Sequence, residues 1–577
     1  MVPMTKRWQL AEPCPEDVAE RLGVARIPAA LLWNRGVRTA EEAQQFLAPS
    51  FEEHLHHPSV FKDAVEAVAR VFTAFENGNR ITVHGDYDAD GVTGSTLVLN
   101  VLNEIAARLK ADQSLIDYYI PHRDKEGYGL QMGTVPKLAD RGTKLLITVD
   151  CGIACVAEIA YAKEQGIDTI VLDHHQFGDE LPNGLLIHPG LPNETYPFKH
   201  LAAVGVSYKF SLLLLEEARK RGLEIPDGWE KWLLDLVAIA TVTDMVPLHG
   251  ENRVLETFGL RVLNKTRRPG LLALFDAAGL VPGTITSESI GFAIGPRINA
   301  AGRMDHAELA LKLLMAESLE DAKIHAKDLE RCNRLRQETT RGMMDEADAM
   351  VDTSKQIIVL SSPDWSPALV GLVAGRYLEA TGKPVVAIGK HGDQWIGSGR
   401  SPSHYDITVA VREAGEGLLT RSGGHVQACG FALHSDENIP LFTQKLYEHA
   451  AERLKDEDIR PVLNIDMEIE LSSVSLPLIE AVSALEPFGM GNAVPLFMTK
   501  RCLVVSADAI GQKKDVLRMQ LQDASGATKK GVGFKLGKRV AEFPPGSWVD
   551  VAYSLSANEW NGRVTAELRL VDVNLCN

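Results

Sequence analysis

The chain has 577 residues, 45% of them hydrophobic and 24% charged, a balance typical of a globular protein with several domains. Its net charge of −17 argues against a nucleic-acid-binding surface spread over the whole molecule, and no apolar run reaches the ~18 residues of a membrane span. The N-terminus lacks the apolar stretch of a signal peptide and the seven cysteines are dispersed. We therefore expect a reduced, cytoplasmic protein with no membrane partner.

We expect an α/β protein with a parallel-sheet domain, a second α/β domain joined to it by a long helix, and a C-terminal β-barrel. The first residues have helical spacing, and Thr39 followed by Glu42 matches the capping-box pattern of a helix start. The predicted regions are 1–55 (helical segment), 56–304 (parallel α/β domain), 305–354 (connecting long helix), 355–458 (second α/β domain) and 459–577 (β-barrel).

In the parallel α/β region, polar residues follow three short apolar runs that begin at residues 80, 144 and 169. These runs are rich in β-branched residues and are separated by helical patterns, which predicts buried parallel strands. A fourth polar residue follows a buried helical pattern over 233–243. Because ligands bind beyond the carboxyl ends of parallel strands, we expect the polar groups to meet in one crevice. They are His84-Gly-Asp-Tyr-Asp-Ala-Asp-Gly91, Asp150, Asp173-His174-His175 and Asp244.

A lone Asp-Gly is more often a turn or a helix cap than a ligand, but the whole set of carboxylates and imidazoles is hard to explain that way. Unpaired carboxylates at one place repel one another, and divalent cations remove the repulsion. Oxygen ligands with some imidazole suit Mn²⁺ or Mg²⁺. The sequence therefore predicts a site for two divalent cations, the arrangement that clamps the attacking and leaving oxygens at phosphorus.

The second α/β region contains strand-like runs that begin at Gln356 and Pro384. Two glycine-rich segments, 397–401 and 423–425, are predicted to be turns whose backbone N–H groups can hold a phosphate. Glycine-rich segments alone are weak indicators of a site. Arg400 and His425 beside them strengthen the interpretation.

The last region alternates apolar and polar positions, with turn signals at 524–526 and 561–562, a pattern that predicts a small β-barrel. Residues 496–577 carry 12 Lys and Arg against 8 Asp and Glu, so this part is basic although the chain is acidic. Four of its aromatic residues could stack on bases, but a core position is the simpler interpretation for each, and Trp560 is the best exposed candidate. The four are Phe534, Trp548, Tyr553 and Trp560.

Several motifs together resemble a known superfamily. The polar groups at the strand ends are similar to the metal-site motifs of the DHH phosphoesterase superfamily. Further segments resemble its RecJ family of single-strand-specific 5′→3′ DNA exonucleases, from about residue 40 to the C-terminus. These segments are Pro121-His-Arg-x-x-Glu-Gly-Tyr-Gly129, 294–303, 397–401, 423–430 and 485–492. The resemblance implies that the three predicted domains are a DHH domain, a DHHA1 domain and an OB fold.

The resemblance also implies how two Mg²⁺ or Mn²⁺ ions are bound. The first ion would be bound by Asp90, Asp150, His174 and Asp244, and the second by His84, Asp88 and the shared Asp150.

Three neighbouring residues receive other roles from the resemblance. His175 would face the scissile phosphate or the attacking water, and Asp173 would orient an imidazole, as metal-bound histidines usually require. Asp86 could be a ligand or could support one, and we favour the supporting role.

Selectivity for a strand end requires residues that hold a phosphate, and arginine does so through two parallel N–H groups. Arg123, Arg297 and Arg303 are predicted to lie in turns, and an ordinary ion pair with a carboxylate is the alternative for each. The full set of candidates for the DNA and its 5′-phosphate is Arg123, Tyr128, Arg297, Arg303, Arg400, Ser401 and His425, with Lys529, Lys530 and Trp560 on the barrel.

We therefore predict a two-metal, single-strand-specific 5′→3′ DNA exonuclease that releases 5′-mononucleotides in DNA repair and recombination. Two alternatives stay open: a phosphodiesterase of small substrates or short oligonucleotides, and a non-catalytic single-strand-binding protein. The resemblance implies a single-strand DNA-binding protein and a helicase as partners, and we expect a monomer.

Overall fold

The computed structural model describes residues 6–455 and 457–576. They divide into two compact units. The larger unit contains residues 10–299, 307–327 and 464–576, and the smaller unit contains residues 6–9, 300–306 and 328–463. Within this described part of the chain, no helix is long and apolar enough to cross a membrane.

From residue 6 to residue 55 the chain is mostly helical, as predicted, but its first described element is a strand, β1 (Arg7–Leu10), in a two-stranded sheet with a later strand. The predicted capping box is confirmed: the Thr39 hydroxyl accepts from the backbone amide of Glu42 at 3.2 Å, and the Glu42 carboxylate accepts from the backbone amide of Thr39 at 3.3 Å. The helices pack into the hydrophobic core of the C-terminal barrel. They are α1 (Val18–Leu22), α2 (Arg26–Asn34) and α3 (Ala40–Leu47).

The first large sheet is parallel throughout, with strand order β3-β2-β4-β5-β6. Its strands are β2 (Arg80–Gly85), β3 (Ile116–Tyr119), β4 (Thr143–Val149), β5 (Asp168–Leu172) and β6 (Leu185–Ile187). The central strands are buried along most of their length, as the continuous apolar runs predict. The accompanying helices are α4 (Ala64–Glu76), α5 (Ala89–Leu109), α6 (Thr134–Asp140), α7 (Val156–Glu164), α8 (Ala203–Lys220), α9 (Leu234–Thr243), α10 (Gly250–Leu263) and α11 (Pro269–Ala278).

A continuous helical segment follows, in which one turn is a π-helix (Ile290–Ile294) between α12 (Ser287–Ser289) and α13 (Gly295–Met304). The predicted connecting helix is interrupted: α14 (Glu308–Met315) ends before the long α15 (Leu319–Ala347) begins.

The second sheet has the order β10-β11-β9-β8-β7, and only β7 and β8 run parallel. Its strands are β7 (Ile358–Ser361), β8 (Val385–His391), β9 (Gln394–Arg400), β10 (Leu419–His425) and β11 (Ala428–Leu433). Its helices are α16 (Pro367–Thr381), α17 (Ile407–Ala414) and α18 (Asn438–Arg453).

The prediction of glycine-rich turns in this sheet is wrong, because both segments are strands, β9 and β10. Tight packing explains two of the glycines. A Cβ atom on Gly397 would lie 2.1 Å from the Phe431 ring, and one on Gly399 would lie 2.6 Å from Ile407 Cγ1. These glycines therefore let neighbouring side chains cross the sheet.

The C-terminal region forms the predicted barrel, closed because β14 pairs with both β15 and β17. The predicted turn at Asn561-Gly562 joins the antiparallel strands β17 and β18, and both residues have positive φ. The elements are β12 (Val462–Ile465), β13 (Met467–Glu468), α19 (Leu476–Ser483), β14 (Phe497–Ile510), β15 (Val516–Gln522), β16 (Thr528–Phe534), β17 (Trp548–Trp560) and β18 (Arg563–Leu575).

Candidate metal centre

The carboxyl ends of β2, β4 and β5 lie side by side, because these strands are neighbours in the parallel sheet. Each strand ends in polar residues, and α9 ends at Asp244, as the sequence predicts. Asp150 has a φ of 62°, a left-handed conformation that aspartate tolerates better than most residues. The fold thus gathers the predicted acidic and imidazole residues at one edge of the sheet.

Backbone N–H groups fix two of the carboxylates. Asp88 caps α5 by accepting from the amides of Asp90 at 2.9 Å and Gly91 at 3.2 Å. The two carboxylate oxygens of Asp90 each accept, at 2.8 Å, from an amide at the start of α8, those of Ala203 and Val204. Position 91 requires glycine, since a Cβ atom there would lie 2.6 Å from the Asp86 backbone.

Three overlapping groups of possible ligands result, and in each the ligand atoms lie within 4.8 Å of one another. One group is Asp90, His174 and Asp244, a second is Asp86, Asp88 and Asp150, and the third, Asp150, His174 and His175, shares a residue with each of them. His174 Nε2 links the groups, because it lies 3.3 Å from Asp150 Oδ1 and 3.6 Å from Asp244 Oδ2. This spacing accommodates two cations that share neighbouring ligands.

The chemistry of the donors fits divalent cations. Three buried atoms at the centre, Oδ1 of Asp86, Oδ1 of Asp150 and Nε2 of His174, have no hydrogen-bond partner among the described atoms. Buried polar atoms are almost always paired, so these three atoms together are suited to bind a cation. Carboxylate oxygens with one imidazole are ligands that Mn²⁺ and Mg²⁺ accept.

The acidities agree with this assignment. Burial and the neighbouring Asp88 raise the pKa of Asp90 to about 7, and burial with Asp90 raises the pKa of Asp244 to about 9. Burial, followed by the surrounding carboxylates, also raises the pKa of Asp150 and of Asp86 well above the usual range. Burial and mutual repulsion therefore disfavour the ionised form of these carboxylates, and bound cations would offset both effects.

Asp173 and His175 form a pair beside the cluster. The Asp173 carboxylate accepts from His175 Nδ1 at 2.9 Å and from the amides of His174 and Ile153. Burial alone would raise the pKa of Asp173, but the bond from His175 and its charge lower it to about 2. Burial alone would lower the pKa of His175, but Asp173 outweighs it and raises that pKa to about 9.

The resemblance implies that His84 is a ligand and that Asp86 supports one, and the structure gives the surroundings of each. Within the described chain, Asp86 joins a group of three possible ligands and His84 does not. The His84 ring is stacked on Tyr119, and its Nδ1 lies 3.6 Å from the Sγ atom of the buried Cys151. Burial lowers the pKa of His84 to about 4, so its ring is neutral.

Three candidate phosphate-binding residues lie in the larger unit. The Arg123 guanidinium lies 5.0 Å from the centre of the Tyr87 ring, next to the metal-centre loop. Tyr128 donates a hydrogen bond from its hydroxyl to the Asp150 carbonyl at 2.9 Å, and 42% of this residue is exposed. Arg297 lies in α13, not in the predicted turn, and donates to the Ala293 carbonyl at 2.9 Å.

The other candidates of this class lie in the smaller unit. Arg303 is likewise helical, and donates to the Ala368 carbonyl at 2.7 Å. Arg400 is mostly buried and donates to the Ser398 hydroxyl and the Gly399 carbonyl, both at 2.7 Å. Ser401 is buried, and its hydroxyl donates to the Tyr405 carbonyl at 2.6 Å. His425 is exposed at the end of β10.

The barrel exposes more aromatic surface than the core interpretation predicts. Trp560 is 74% exposed beside the β17–β18 turn, Phe534 is 60% exposed and Trp548 is 45% exposed. Tyr553 is fully buried, as expected for a core residue. Lys530 is exposed and Lys529 is half-buried on β16.

One residue of the centre escaped the sequence interpretation. The Asn299 side chain accepts a 2.8 Å hydrogen bond from the amide of Ala89, between Asp88 and Asp90. It thereby anchors the acidic loop to α13. Asn299 lies in the segment 294–303, between the candidate phosphate-binding residues Arg297 and Arg303.

These features define a member of the DHH family: residues 80–241 match the DHH family N-terminal domain. Residues 354–452 match the DHHA1 domain and residues 465–572 match the RecJ OB domain.

Relatives that match over most of this chain identify the family within the DHH proteins. The chain is 35% identical to the single-stranded-DNA-specific exonuclease RecJ of Bacillus subtilis (strain 168), over 99% of this chain and 71% of the relative. It is 31% identical to the Escherichia coli (strain K12) exonuclease of the same name, over 93% of each chain. A crystal structure of RecJ from Thermus thermophilus in complex with Mn²⁺ matches with a TM-score of 0.82 and 32% identity, over 98% of this chain and 79% of that one. The chain belongs to the RecJ family.

Proposed function

We propose that this chain is a metal-dependent exonuclease that degrades single-stranded DNA from its 5′ end and releases 5′-mononucleotides. The observation that carries the proposal is the group of carboxylates and imidazoles whose buried ligand atoms lack partners. The RecJ relatives are named single-stranded-DNA-specific exonucleases, and two of the matching crystal structures contain Mn²⁺ or Mg²⁺.

The first of two divalent cations would be held by Asp90, His174 and Asp244, and the second by Asp86 and Asp88, with Asp150 between them. The structure favours Asp86 in the second set, and His84 stays a candidate because its Nε2 is buried without a partner in the described chain. When bound, such cations supply a stronger nucleophile at neutral pH and neutralise charge on the phosphate oxygens.

His175 is the residue that we assign to the reacting phosphate. Asp173 occupies its Nδ1 and keeps the ring charged, so Nε2 is the nitrogen available to the substrate. In the reaction, water attacks phosphorus, the bond from phosphorus to the 3′-oxygen breaks, and that oxygen leaves on the released mononucleotide. The charged ring donates a hydrogen bond to the phosphate as its negative charge increases.

We further propose that Arg123, Tyr128 and Arg297 of the larger unit bind the 5′-terminal nucleotide. Tyr128 donates to the carbonyl of Asp150, and Arg123 lies over the ring of Tyr87 in the acidic loop, so these two residues are the best supported. Arg303, Arg400, Ser401 and His425 belong to the same proposed set in the smaller unit, and Lys529, Lys530 and Trp560 would hold the strand on the barrel.

The wider setting follows from the family alone. We infer that the protein acts in DNA repair and recombination, in the cytoplasm, as a monomer, and with a single-strand DNA-binding protein and a helicase. The proposed domains are the DHH domain over 56–304, the DHHA1 domain over 355–458 and the OB fold over 459–577.

The test is a degradation time course on a 5′-phosphorylated single strand labelled at its 3′ end, beside the same strand in a duplex and an RNA strand. With Mg²⁺ or Mn²⁺, the labelled DNA single strand should shorten progressively from the 5′ end, and EDTA should stop the reaction. If long strands stay intact while dinucleotides are cleaved, the chain is instead a small-substrate phosphodiesterase. Binding without any metal-dependent cleavage would make it a single-strand-binding protein.

A further inference from the structure

Phe292 has the most exposed large hydrophobic side chain in the described part of the chain, with 82% of the residue accessible. It lies in the π-helical turn Ile290–Ile294, whose two terminal isoleucines are fully buried. The turn therefore faces the core on one side and presents the phenyl ring to solvent on the other. π-Helical turns are frequent at functional sites.

The helical segment that carries Phe292 is packed against the metal centre. A Cβ atom on Gly295 would lie 2.1 Å from Thr243 Cγ2, so the segment lies directly on the residue that precedes Asp244. About one turn further on, Asn299 accepts from the Ala89 amide in the acidic loop. Phe292 thus lies on the element that borders the centre from two sides.

The start of the same segment adjoins the barrel. The Glu288 carboxylate, one turn before Phe292, lies 4.0 Å from the guanidinium of Arg569 on β18. The same guanidinium lies 5.9 Å from the centre of the Phe534 ring, which is 60% exposed. Arg569 therefore lies beside the Phe534 ring and approaches the helical segment that carries Phe292.

The outer face of the barrel continues this surface with further cations. Val532 of β16 pairs with Arg518 of β15 and Arg569 of β18, and paired side chains point to the same side of a sheet. Lys530 and Phe534 lie two residues from Val532 on β16 and hence share its face. The cationic members of this face and Phe534 are exposed.

We propose that Phe292 is a base-stacking residue that extends the outer face of the barrel to the metal centre. A single strand of DNA would pass from Phe534, along Arg569, over Phe292 and into the centre. The proposal rests on the proposed function, which supplies the substrate. Exposed rings suit bases, and cations beside them suit phosphates, which is the pattern of single-strand-binding surfaces.

Two carboxylates also lie on this path. Glu288 approaches Arg569, and Asp508 forms an ion pair with Arg518 at 3.1 Å. Both pairs are exposed, so each contributes little to stability and a phosphate can replace the carboxylate. These acids keep the surface partly neutral until a strand binds.

The test compares Phe292→Ala, Phe292→Trp and the control Val281→Ala, which truncates another exposed apolar residue of the larger unit. Fluorescence anisotropy with Mg²⁺ measures the Kd for a 5′-phosphorylated single strand whose linkages are phosphorothioates. Loss of one stacked base costs ~1–3 kcal/mol, so Phe292→Ala should raise Kd by about 5- to 150-fold. Phe292→Trp should stay within about threefold of the wild type, and Val281→Ala should not change Kd.

A second measurement separates stacking from a structural effect. A series of strands is prepared in which a single abasic site occupies successive positions. For one of these strands, the Kd of the wild type should rise as much as the Kd for the intact strand rises in Phe292→Ala. In Phe292→Ala, the same abasic site should have no further effect. The ratio of kcat/KM on a long strand to kcat/KM on a dinucleotide should fall in Phe292→Ala, with the Tm unchanged.

The proposal is overturned if Phe292→Ala binds the strand with the Kd of the wild type. It is also overturned if an abasic site at every position raises the Kd of Phe292→Ala further. Equal losses on long strands and dinucleotides, or a lowered Tm, would also overturn it, because Phe292 would then act through the fold. Failure of the proposed function looks different: the wild type itself would neither bind nor degrade single-stranded DNA.

Discussion

The metal centre and the outer face of the barrel differ in the sign of their charges and in how far those charges are exposed to solvent. At the centre, carboxylates are buried, fixed by backbone amides and held at raised pKa values. On the barrel, Arg518, Lys530 and Arg569 are exposed, and their charges are screened by water and salt. Buried charges have large individual effects, because desolvation strengthens electrostatic interactions, whereas exposed cations act additively and weakly. Substitutions in the two regions should therefore differ in size and in salt dependence.

The largest effect is expected at Asp150, which belongs to two of the three ligand groups. Asp150→Asn keeps the shape and removes the charge that both cations would share. Loss of ~4 kcal/mol of transition-state stabilisation corresponds to a decrease in kcat of ~1000-fold. Single-turnover kinetics on a labelled strand measures it, and strand binding should stay within about twofold. Unchanged turnover would contradict the two-cation assignment.

A smaller loss is expected at His175. His175→Gln keeps a hydrogen-bond donor but removes the positive charge that Asp173 maintains. General acid–base and charge-stabilising groups contribute ~10²–10⁴-fold, so kcat should fall by ~100-fold while KM changes little. The matched control is His425→Gln, at an exposed histidine of the smaller unit, which should change KM more than kcat. If both substitutions lowered kcat equally, the assignment of His175 to the reacting phosphate would be contradicted.

The buried carboxylates should also make the metal-free protein sensitive to pH. The pKa values of Asp90 and Asp244 are raised in the fold to about 7 and about 9, so the folded protein binds protons that the unfolded chain has released. Stability is therefore present at low pH and is lost as pH rises through these values. With EDTA, the Tm should fall between pH 6 and pH 8.5, by ~2–4 °C for each kcal/mol lost.

Added Mg²⁺ should raise the Tm more at pH 8.5 than at pH 6, because metal binding needs deprotonated carboxylates. Asp244→Asn removes one of the titrating groups, so the Tm of this variant in EDTA should depend less on pH. An EDTA profile that is flat or rises with pH would show that these carboxylates titrate normally.

The smallest effect is expected on the barrel face. Lys530→Ala removes one exposed cation of this face, so binding to a single strand should weaken about two- to fivefold at 0.1 M salt. The slope of log K against log salt concentration should become shallower by ~0.7, the value for one phosphate contact on a single strand. Lys220→Ala, at an exposed lysine of α8, is the control. An unchanged slope for Lys530→Ala would place the strand elsewhere.

The site residues that directly follow a parallel strand were predictable from the sequence. A buried parallel strand has a recognisable apolar run, and the polar residue after it must lie at the carboxyl edge of the sheet. That rule places Asp86, Asp150 and Asp173 near one another without any structure, but it does not apply to Asp244, which follows the helix α9. The rule says nothing of distances, so it could not decide between His84 and Asp86, which are two residues apart in the same loop.

Other predictions failed because the deciding contacts come from distant parts of the chain. The glycines of β9 suggested turns. In the fold, however, Phe431 and Ile407 lie so close to these glycines that no side chain fits there. Arg297 follows a Gly-Pro pair that suggested a turn, yet the segment is helical and packs on the end of α9. Local composition alone does not distinguish a flexible glycine from a tightly packed one.

The sequence by itself determined the parallel sheet, the order of the domains and the identity of the acidic and imidazole residues, because hydrophobic periodicity and strand-end position are local properties. The tertiary structure alone decided which polar atoms are left without partners, since amides of α8 reach Asp90 from more than 100 residues away. It also decided which aromatic residues are exposed. Phe292 and Phe534 are apolar in any sequence analysis, and only their packing partners, or the lack of them among the described residues, place both rings in solvent.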